Sequence, residues 1–295
     1  MITLIDKYIR YLRYEKNYSL HTEISYSEDL NQFCTFLTEH FDDVGVQAVD
    51  GDIIRMWIVS LMEDKISPRS VNRKLSALKS FYKYLLKVGE VTMNPVKKIS
   101  GPKTNKPLPA FVNNVDMDSV LDDTTIEDSF EALRNRVMIE LFYVTGMRRA
   151  ELIGLKDVDV DFSASTVLVT GKRNKQRLIP ISDKTKLLLQ QYIEERDKEI
   201  ENQSGYLFVK NDGQQLYPML VHRIVTENLG HIPTLSKTSP HVLRHTFATG
   251  MLNNGADINA VKELLGHSSL AATEIYTHTS FEELKKIYNK AHPRA

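Results

Sequence analysis

Residues 239–279 read SPHVLRHTFATGMLNNGADINAVKELLGHSSLAATEIYTHT, and this stretch decides how the C-terminal half of the chain is understood. HVLRH places His241, Arg244 and His245 at i, i+3 and i+4, so a helix puts all three on one face. Gly255 and Asp257 break that helix. AVKELL then resumes helical spacing as far as Gly266, a C-terminal stop, with His267 directly after it. Tyr276 follows in ATEIYTHT. A tyrosine on an amphipathic segment is ordinarily a core or rim residue. An arginine among histidines, however, describes a pocket for a phosphate, and a phenol beside it describes a nucleophile.

Working outward, YVTGMRRAELIGL (143–155) ends an apolar helix at Thr145–Gly146 and opens another with Arg148 and Glu151 near its N-terminus. That end of a helix favours anions and disfavours a bare arginine, so Arg148 makes better sense with a phosphate sharing the site. Glu151 either orients an arginine or histidine or sits on the helix surface, and Arg149 faces solvent. VLVTGKRNKQRLIPI (167–181) is two β-rich runs flanking a basic turn, a hairpin with Lys172 at or near its tip. Lys175 competes for the same role. No acidic residue interrupts Lys172, Arg173, Lys175 and Arg177, so all four are candidate phosphate contacts.

The length of 295 residues predicts about two domains. The balance of 42% hydrophobic and 26% charged residues is that of an ordinary globular chain. No eighteen-residue apolar run and no signal-peptide core are found, which argues against membrane insertion and secretion. A single cysteine, Cys34, leaves no internal disulfide and no zinc ribbon, and the expected location is the cytoplasm.

A formal net charge of zero hides an uneven distribution. Residues 1–64 hold 5 Lys/Arg against 12 Asp/Glu, whereas residues 65–98 hold 9 against 1. The first part reads as helices, with Ile24, Leu30, Phe33 and Leu37 in one apolar stripe and Ile54, Trp57, Ile58 and Leu61 in another. Ser67–Pro68 starts a fourth helix, whose Val71, Leu75, Leu78, Tyr82 and Leu85 form a buried face. Arg69, Arg73, Ser76, Ser80, Lys83 and Lys87 lie opposite, with no glutamate before Glu90. A solvated face normally intersperses acids, so this stripe suits a phosphate-lined groove.

NPVKKISGPKTNKPLPA (94–110), with four prolines in seventeen residues, reads as a basic linker between domains at 1–93 and 111–295. The second domain is expected to be mostly helical with one small antiparallel sheet, making the whole chain mainly α. Its helices are expected in Asp116–Asp123, from about Asp128, in TKLLLQQYIEERDKEI and in PMLVHRIVTENL.

In the order Arg148, Lys172, His241, Arg244, His267, Tyr276, the motifs TGMRRAEL, GKRNKQR, HVLRHTFAT and LGHSSLAATEIYTH resemble the tyrosine recombinases of the phage-integrase family. The full length, to the terminal HPRA, is similar to the Xer-type site-specific recombinases. The resemblance implies an N-terminal SAM-like helical domain that binds core DNA and a C-terminal catalytic domain, the two forming a clamp on double-stranded DNA. It implies that Arg148, Arg244 and His267 bind the scissile phosphate and that Tyr276 attacks it to form a 3′-phosphotyrosyl link. His241 then assists proton removal and Lys172, favoured by the resemblance over Lys175, protonates the departing 5′ oxygen. No ATP, metal or nucleotide cofactor is implied. Four protomers, all alike or mixed with a sister recombinase, would exchange strands, with a septal DNA translocase as a further partner. Chromosome-dimer resolution at dif-like sites is the expected role, with integration of a mobile element as the alternative.

Two rivals come from other classes. His241 and His245 with His267 offer zinc ligands. Between them stand Val-Leu-Arg, without the glutamate of an HExxH base and with a cation beside the metal. A DNA-binding protein without catalysis would be expected to have lost one of the six positions, and none is lost. His245 and His278 are read as structural.

Ser280 with Glu283 predicts a tail helix bearing Phe281, Leu284 and Tyr288, too short to be stable alone. It can fold back on its own domain or pass to a neighbour. The resemblance implies the neighbour, so a chain cut before Phe281 is expected to keep its fold.

Overall fold

In the computed structural model the described residues are 1–41, 44–104, 110–122, 129–201, 204–235, 238–266 and 278–295. The chain divides into two compact units, Met1–Pro107 and Leu108–Ala295.

Among the described residues, two of the four helices of the first unit begin at a capping side chain. α1 (Ile2–Tyr14) and α2 (Leu20–His40) are followed by α3 (Gly51–Glu63), which starts at Asp50. The Asp50 carboxylate accepts the N–H groups of Asp52 and Ile53, both at 2.9 Å. Ser67 caps α4 (Pro68–Lys87), with Pro68 supplying a helical φ at the first position. The inner faces close one core around Tyr8, Phe33, Trp57, Phe81 and Tyr82. Val71, Leu75, Leu78, Tyr82 and Leu85 all lie in it, as the spacing predicts.

Ile24 does not, being 47% exposed. Six residues before Leu30 is about 600° of rotation, which turns Ile24 roughly 120° away from the buried stripe. The Pro/Lys-rich stretch also starts inside the first unit. Val96 is buried in its core, and Asn72 Nδ2 donates to the Pro102 carbonyl at 2.9 Å.

The second unit is built around α6 (Phe130–Thr145), which follows α5 (Asn114–Leu121). From Val137 to Met147 every residue is buried, because α8 (Asp183–Glu199) and α10 (Pro240–Asn253) pack against α6. Gly146 ends α6 with φ 58°, and a Cβ there would stand 2.6 Å from the Phe247 ring. Only glycine meets both demands.

The five-residue α7 (Arg149–Ile153) comes next, then an antiparallel sheet in the order β1 (Val160–Asp161), β2 (Thr166–Thr170), β3 (Gln176–Pro180). Its register pairs Val169 with Arg177 and Thr170 with Gln176. α9 (Pro218–Leu229), α11 (Ile258–Leu264) and α12 (His278–Ala291) complete the unit. The chain is thus mainly helical with one three-stranded sheet.

The tail corrects the sequence reading. α12 lies on its own domain, with Leu284, Tyr288 and Ala291 in the core. Burying Leu284 contributes roughly 1.5–3 kcal/mol, which helps to offset the marginal stability of so short a helix in water. Past the helix, His292 stacks on Tyr288 and Phe247 and meets Tyr143 edge-on. Its Nε2 donates to the Tyr143 carbonyl at 3.3 Å while Nδ1 accepts the Arg294 N–H at 3.1 Å. The Arg294 guanidinium then reaches Asp118, Asp122 and Glu140. A chain cut before Phe281 would uncover that core, so truncation is expected to destabilise the domain.

Burial lowers the His292 pKa to about 4. The unfolded chain therefore binds a proton that the folded one refuses between pH 6.5 and about 4. Stability from this group is complete above pH 6.5 and falls by up to about 3 kcal/mol as pH drops to 4. Urea titrations across that window should show the loss, and His292→Gln should flatten the slope while lowering stability at pH 7. An unchanged slope would mean that His292 is not held neutral.

Candidate active site

Arg148 occupies the junction between the Gly146 turn and α7. Its backbone N–H donates to Glu151 Oε2 at 2.8 Å, its Nη1 to Glu151 Oε1 at 2.7 Å, and its Nη2 to the Gly266 carbonyl at 3.4 Å. Arg244, one turn into α10, donates from Nη1 to the Gly146 carbonyl at 2.6 Å and from Nη2 to the Leu265 carbonyl at 2.7 Å. Two guanidiniums from helices almost a hundred residues apart thus converge on the same two turns. Arg148 keeps 38% of its side chain exposed, and Arg244 is half-buried.

Electrostatics show what the site lacks. Burial, and then the charge of Arg148, press the Arg244 pKa down to about 10, only partly offset by Glu151. Glu151 itself is buried, which alone would raise its pKa. Hydrogen bonds from Arg177 and from the Arg148 backbone hold it below the ordinary carboxylate value instead. The described residues of the cluster therefore carry excess positive charge, with guanidinium forks of the kind that suits a phosphate.

Arg177 departs from the sequence reading. The basic turn marks it as a candidate phosphate contact with Lys172, Arg173 and Lys175, but it is 6% exposed and turned inward. Its Nη1 and Nη2 grip Glu151 at 3.1 and 2.8 Å, and its Nε donates to the Leu264 carbonyl at 2.7 Å. The alternation of β3 is the physical reason, since Arg177 and Ile179 point to the buried face while Gln176 and Leu178 face out. That alternation was the one signal in the sequence that separates Arg177 from its neighbours.

Lys172 stands exposed in the single turn of 3₁₀ helix joining β2 and β3, and Lys175 is exposed just beyond it. His241 is exposed in the first turn of α10, one turn before Arg244. His245 is half-buried, its Nε2 3.5 Å from the Thr249 hydroxyl. His267, Tyr276 and the side chains of Arg173 and His278 lie outside the described residues. The carbonyls of Gly146, Leu265 and Gly266, which orient both arginines, were not foreseen, because no sequence pattern marks a backbone acceptor.

On α4 the basic stripe is real but partly neutralised. Arg73 is bound to Asp29 and Ser25 of α2, and Lys74 also reaches Asp29 at 2.9 Å. Lys87 pairs with Glu15 at 3.4 Å and lies over the Tyr11 ring. Arg69 and Lys83 are exposed, with no ion pair among the described residues. The missing glutamates of α4 are thus supplied by neighbouring segments.

Residues 115–283 match the family model "Phage integrase family", and residues 5–89 match "Phage integrase, N-terminal SAM-like domain". Tyrosine recombinase XerC of Chlorobaculum tepidum is 36% identical, covering 99% of this chain and 94% of its own. XerC of Bacillus pumilus is 38% identical, with coverage of 99% and 97%. Among solved structures, XerH site-specific recombinase bound to palindromic difH substrate, a post-cleavage complex, has a TM-score of 0.75 at 25% identity, covering 97% of this chain and 83% of that one. The Tn1549 transposon integrase with transposon right end DNA has a TM-score of 0.72 at 21% identity, covering 97% and 98%, a likeness of fold alone.

If α4 tracks a phosphate backbone, Lys83→Ala should lower the salt slope of DNA binding by about 0.9. Arg73→Ala should instead destabilise the first unit, since buried Asp29 keeps only Lys74. Binding isotherms at several salt concentrations, with thermal melts, separate the two. An unchanged slope for Lys83→Ala would leave the stripe as a solvated face.

Proposed function

Because the chain belongs to the phage integrase family and is a tyrosine recombinase that cleaves and rejoins DNA, we propose that Arg148 and Arg244 hold the scissile phosphate of a duplex recombination site while Tyr276 attacks it. The observation that carries this reading is the half-buried arginine pair beside Glu151, which bonds Arg148 and only partly offsets the pressure of burial and charge on Arg244. Charge grows on the non-bridging oxygens of a phosphodiester in the transition state, and guanidinium forks offset it.

The steps balance without a cofactor. The Tyr276 oxygen bonds to phosphorus as the bond from phosphorus to the 5′ oxygen breaks, leaving a 3′-phosphotyrosyl link and a 5′-hydroxyl. His241 takes up the phenol proton, and Lys172 protonates the leaving oxygen. His267 adds a hydrogen bond to the same phosphate. Attack by a 5′-hydroxyl of a second duplex reverses the chemistry and joins the exchanged strands. Arg69, Lys83, Lys172, Arg173 and Lys175 are the candidates for phosphate contacts along the duplex.

For the biological setting, we favour resolution of chromosome dimers at dif-like sites in the cytoplasm. Near full-length identity of 36–38% to XerC proteins supports it, as does the likeness to XerH on difH. Likeness to a transposon integrase rests on fold alone and weighs less. Four protomers, identical or paired with a sister recombinase, would form the synapse.

A nicked suicide duplex with a dif-like palindrome should trap wild-type protein as a covalent band on a denaturing gel. Tyr276→Phe should abolish the band and leave binding nearly unchanged, since one hydroxyl is lost and the basic surfaces stay. The band should persist in EDTA. Its loss on chelation, restored by zinc, would revive the metal reading, and a band from Tyr276→Phe would move the nucleophile elsewhere.

A further inference from the structure

Among the described residues Arg177 bonds Glu151 and the Leu264 carbonyl, and so touches both sides of the arginine pair. Its fork closes on Glu151 through Nη1 to Oε1 at 3.1 Å and Nη2 to Oε2 at 2.8 Å. The same Oε1 receives Arg148 Nη1, and the same Oε2 receives the Arg148 backbone N–H. On the other side, Arg177 Nε holds the Leu264 carbonyl at 2.7 Å. The next two carbonyls along the chain, Leu265 and Gly266, are those that receive Arg244 and Arg148.

The approach at Gly266 is close. With φ at +63°, a Cβ there would lie 3.1, 3.2 and 3.3 Å from Nη1, Cδ and Cζ of Arg177. Gly171, at the root of the hairpin, faces the same pair, with its would-be Cβ 3.1 Å from Glu151 Oε1. A buried guanidinium side chain thus joins β3, α7, the end of α11 and the hairpin that carries Lys172.

We propose that Arg177 is a positioning residue of the phosphate site, holding Glu151 and the Leu264–Gly266 turn so that Arg148 and Arg244 keep their places and their charge. The inference rests on the reading of those two arginines as phosphate ligands. Among the described residues, Arg148 and Arg177 both bond the Glu151 carboxylate, whose charge also acts on Arg244. While Arg177 neutralises that carboxylate, Arg148 and Arg244 both present uncompensated charge to an anion. Without Arg177, Glu151 draws on Arg148 alone, and half of that charge is cancelled. Arg177 acts through these groups and touches no phosphate itself, being buried to 6% exposure.

The charge account makes a demand that a purely structural role does not. Arg177→Met should slow covalent-complex formation about 100-fold, the scale of removing one transition-state donor. With a methylphosphonate at the scissile position there is little charge for the arginines to offset, so the loss should shrink to under about tenfold. Arg177→Met/Glu151→Gln, which removes both members of the buried pair, should recover at least about tenfold on the ordinary phosphate. Arg177→Lys, retaining charge without the fork, should fall between, and it serves for comparison if Arg177→Met folds poorly.

Equal losses on phosphate and methylphosphonate, with no recovery in the double variant, would reduce Arg177 to a packing residue. A wild-type chain that forms no covalent band would fail the recombinase mechanism, not this inference. In that event the rise in Tm produced by inorganic phosphate decides. It should be lost in Arg177→Met and regained in the double variant, and its persistence in Arg177→Met would overturn the assignment.

Discussion

Everything in the catalytic unit is arranged around a carboxylate that cannot be left alone. Glu151 is buried, and an isolated buried anion is far too costly to keep charged. Two guanidiniums and a backbone N–H satisfy it, and each comes from an element that must then stay in register. Arg148 requires the Gly146 turn, whose left-handed backbone only glycine adopts cheaply beside Phe247. Arg177 requires the β2–β3 register and the close approach of Gly266. The site and the fold are therefore one constraint, and disturbing either exposes the same buried charge.

Positive charge in this cluster exceeds what its own carboxylate offsets, and the depressed pKa of Arg244 is the mark of that excess. An arginine pair fits the need better than lysines would. Guanidinium stays protonated under such pressure, and its fork can hold carbonyls on one edge while leaving another edge for an anion. The backbone acceptors at Gly146, Leu265 and Gly266 make the pair rigid before any substrate arrives, which is the form of preorganisation that electrostatic catalysis relies on.

The tail shows the same economy of charge on the far side of α6. Arg294 closes on Asp118, Asp122 and Glu140 while His292 sits neutral in an aromatic stack. Tyr143, in α6 a few residues before Arg148, accepts the His292 Nε2–H through its carbonyl. The end of the chain thus braces the helix that leads into the site. Any neighbour that took the tail in exchange would have to supply the same apolar cover and the same three carboxylates.

Much of this was legible in the sequence. The cap at Ser67, the glycines at 146 and 266 and the helical spacing of α4 and α10 located the elements. The motifs pointed to Arg148, Lys172, His241 and Arg244 in the order in which the fold presents them. What the sequence did not determine is where a long charged side chain finds its partner. Arg177 and Glu151 are 26 positions apart, Arg73 and Asp29 are 44, and Arg294 and Glu140 are 154. Periodicity records geometry along one helix or strand, whereas an ion pair is decided by which surfaces meet when those elements pack. The inward turn of Arg177, the neutralised half of the α4 stripe and the tail lying on its own domain are all of that kind. Only the tertiary structure could decide them, because each is a competition between burying a charge with a distant partner and leaving it in water.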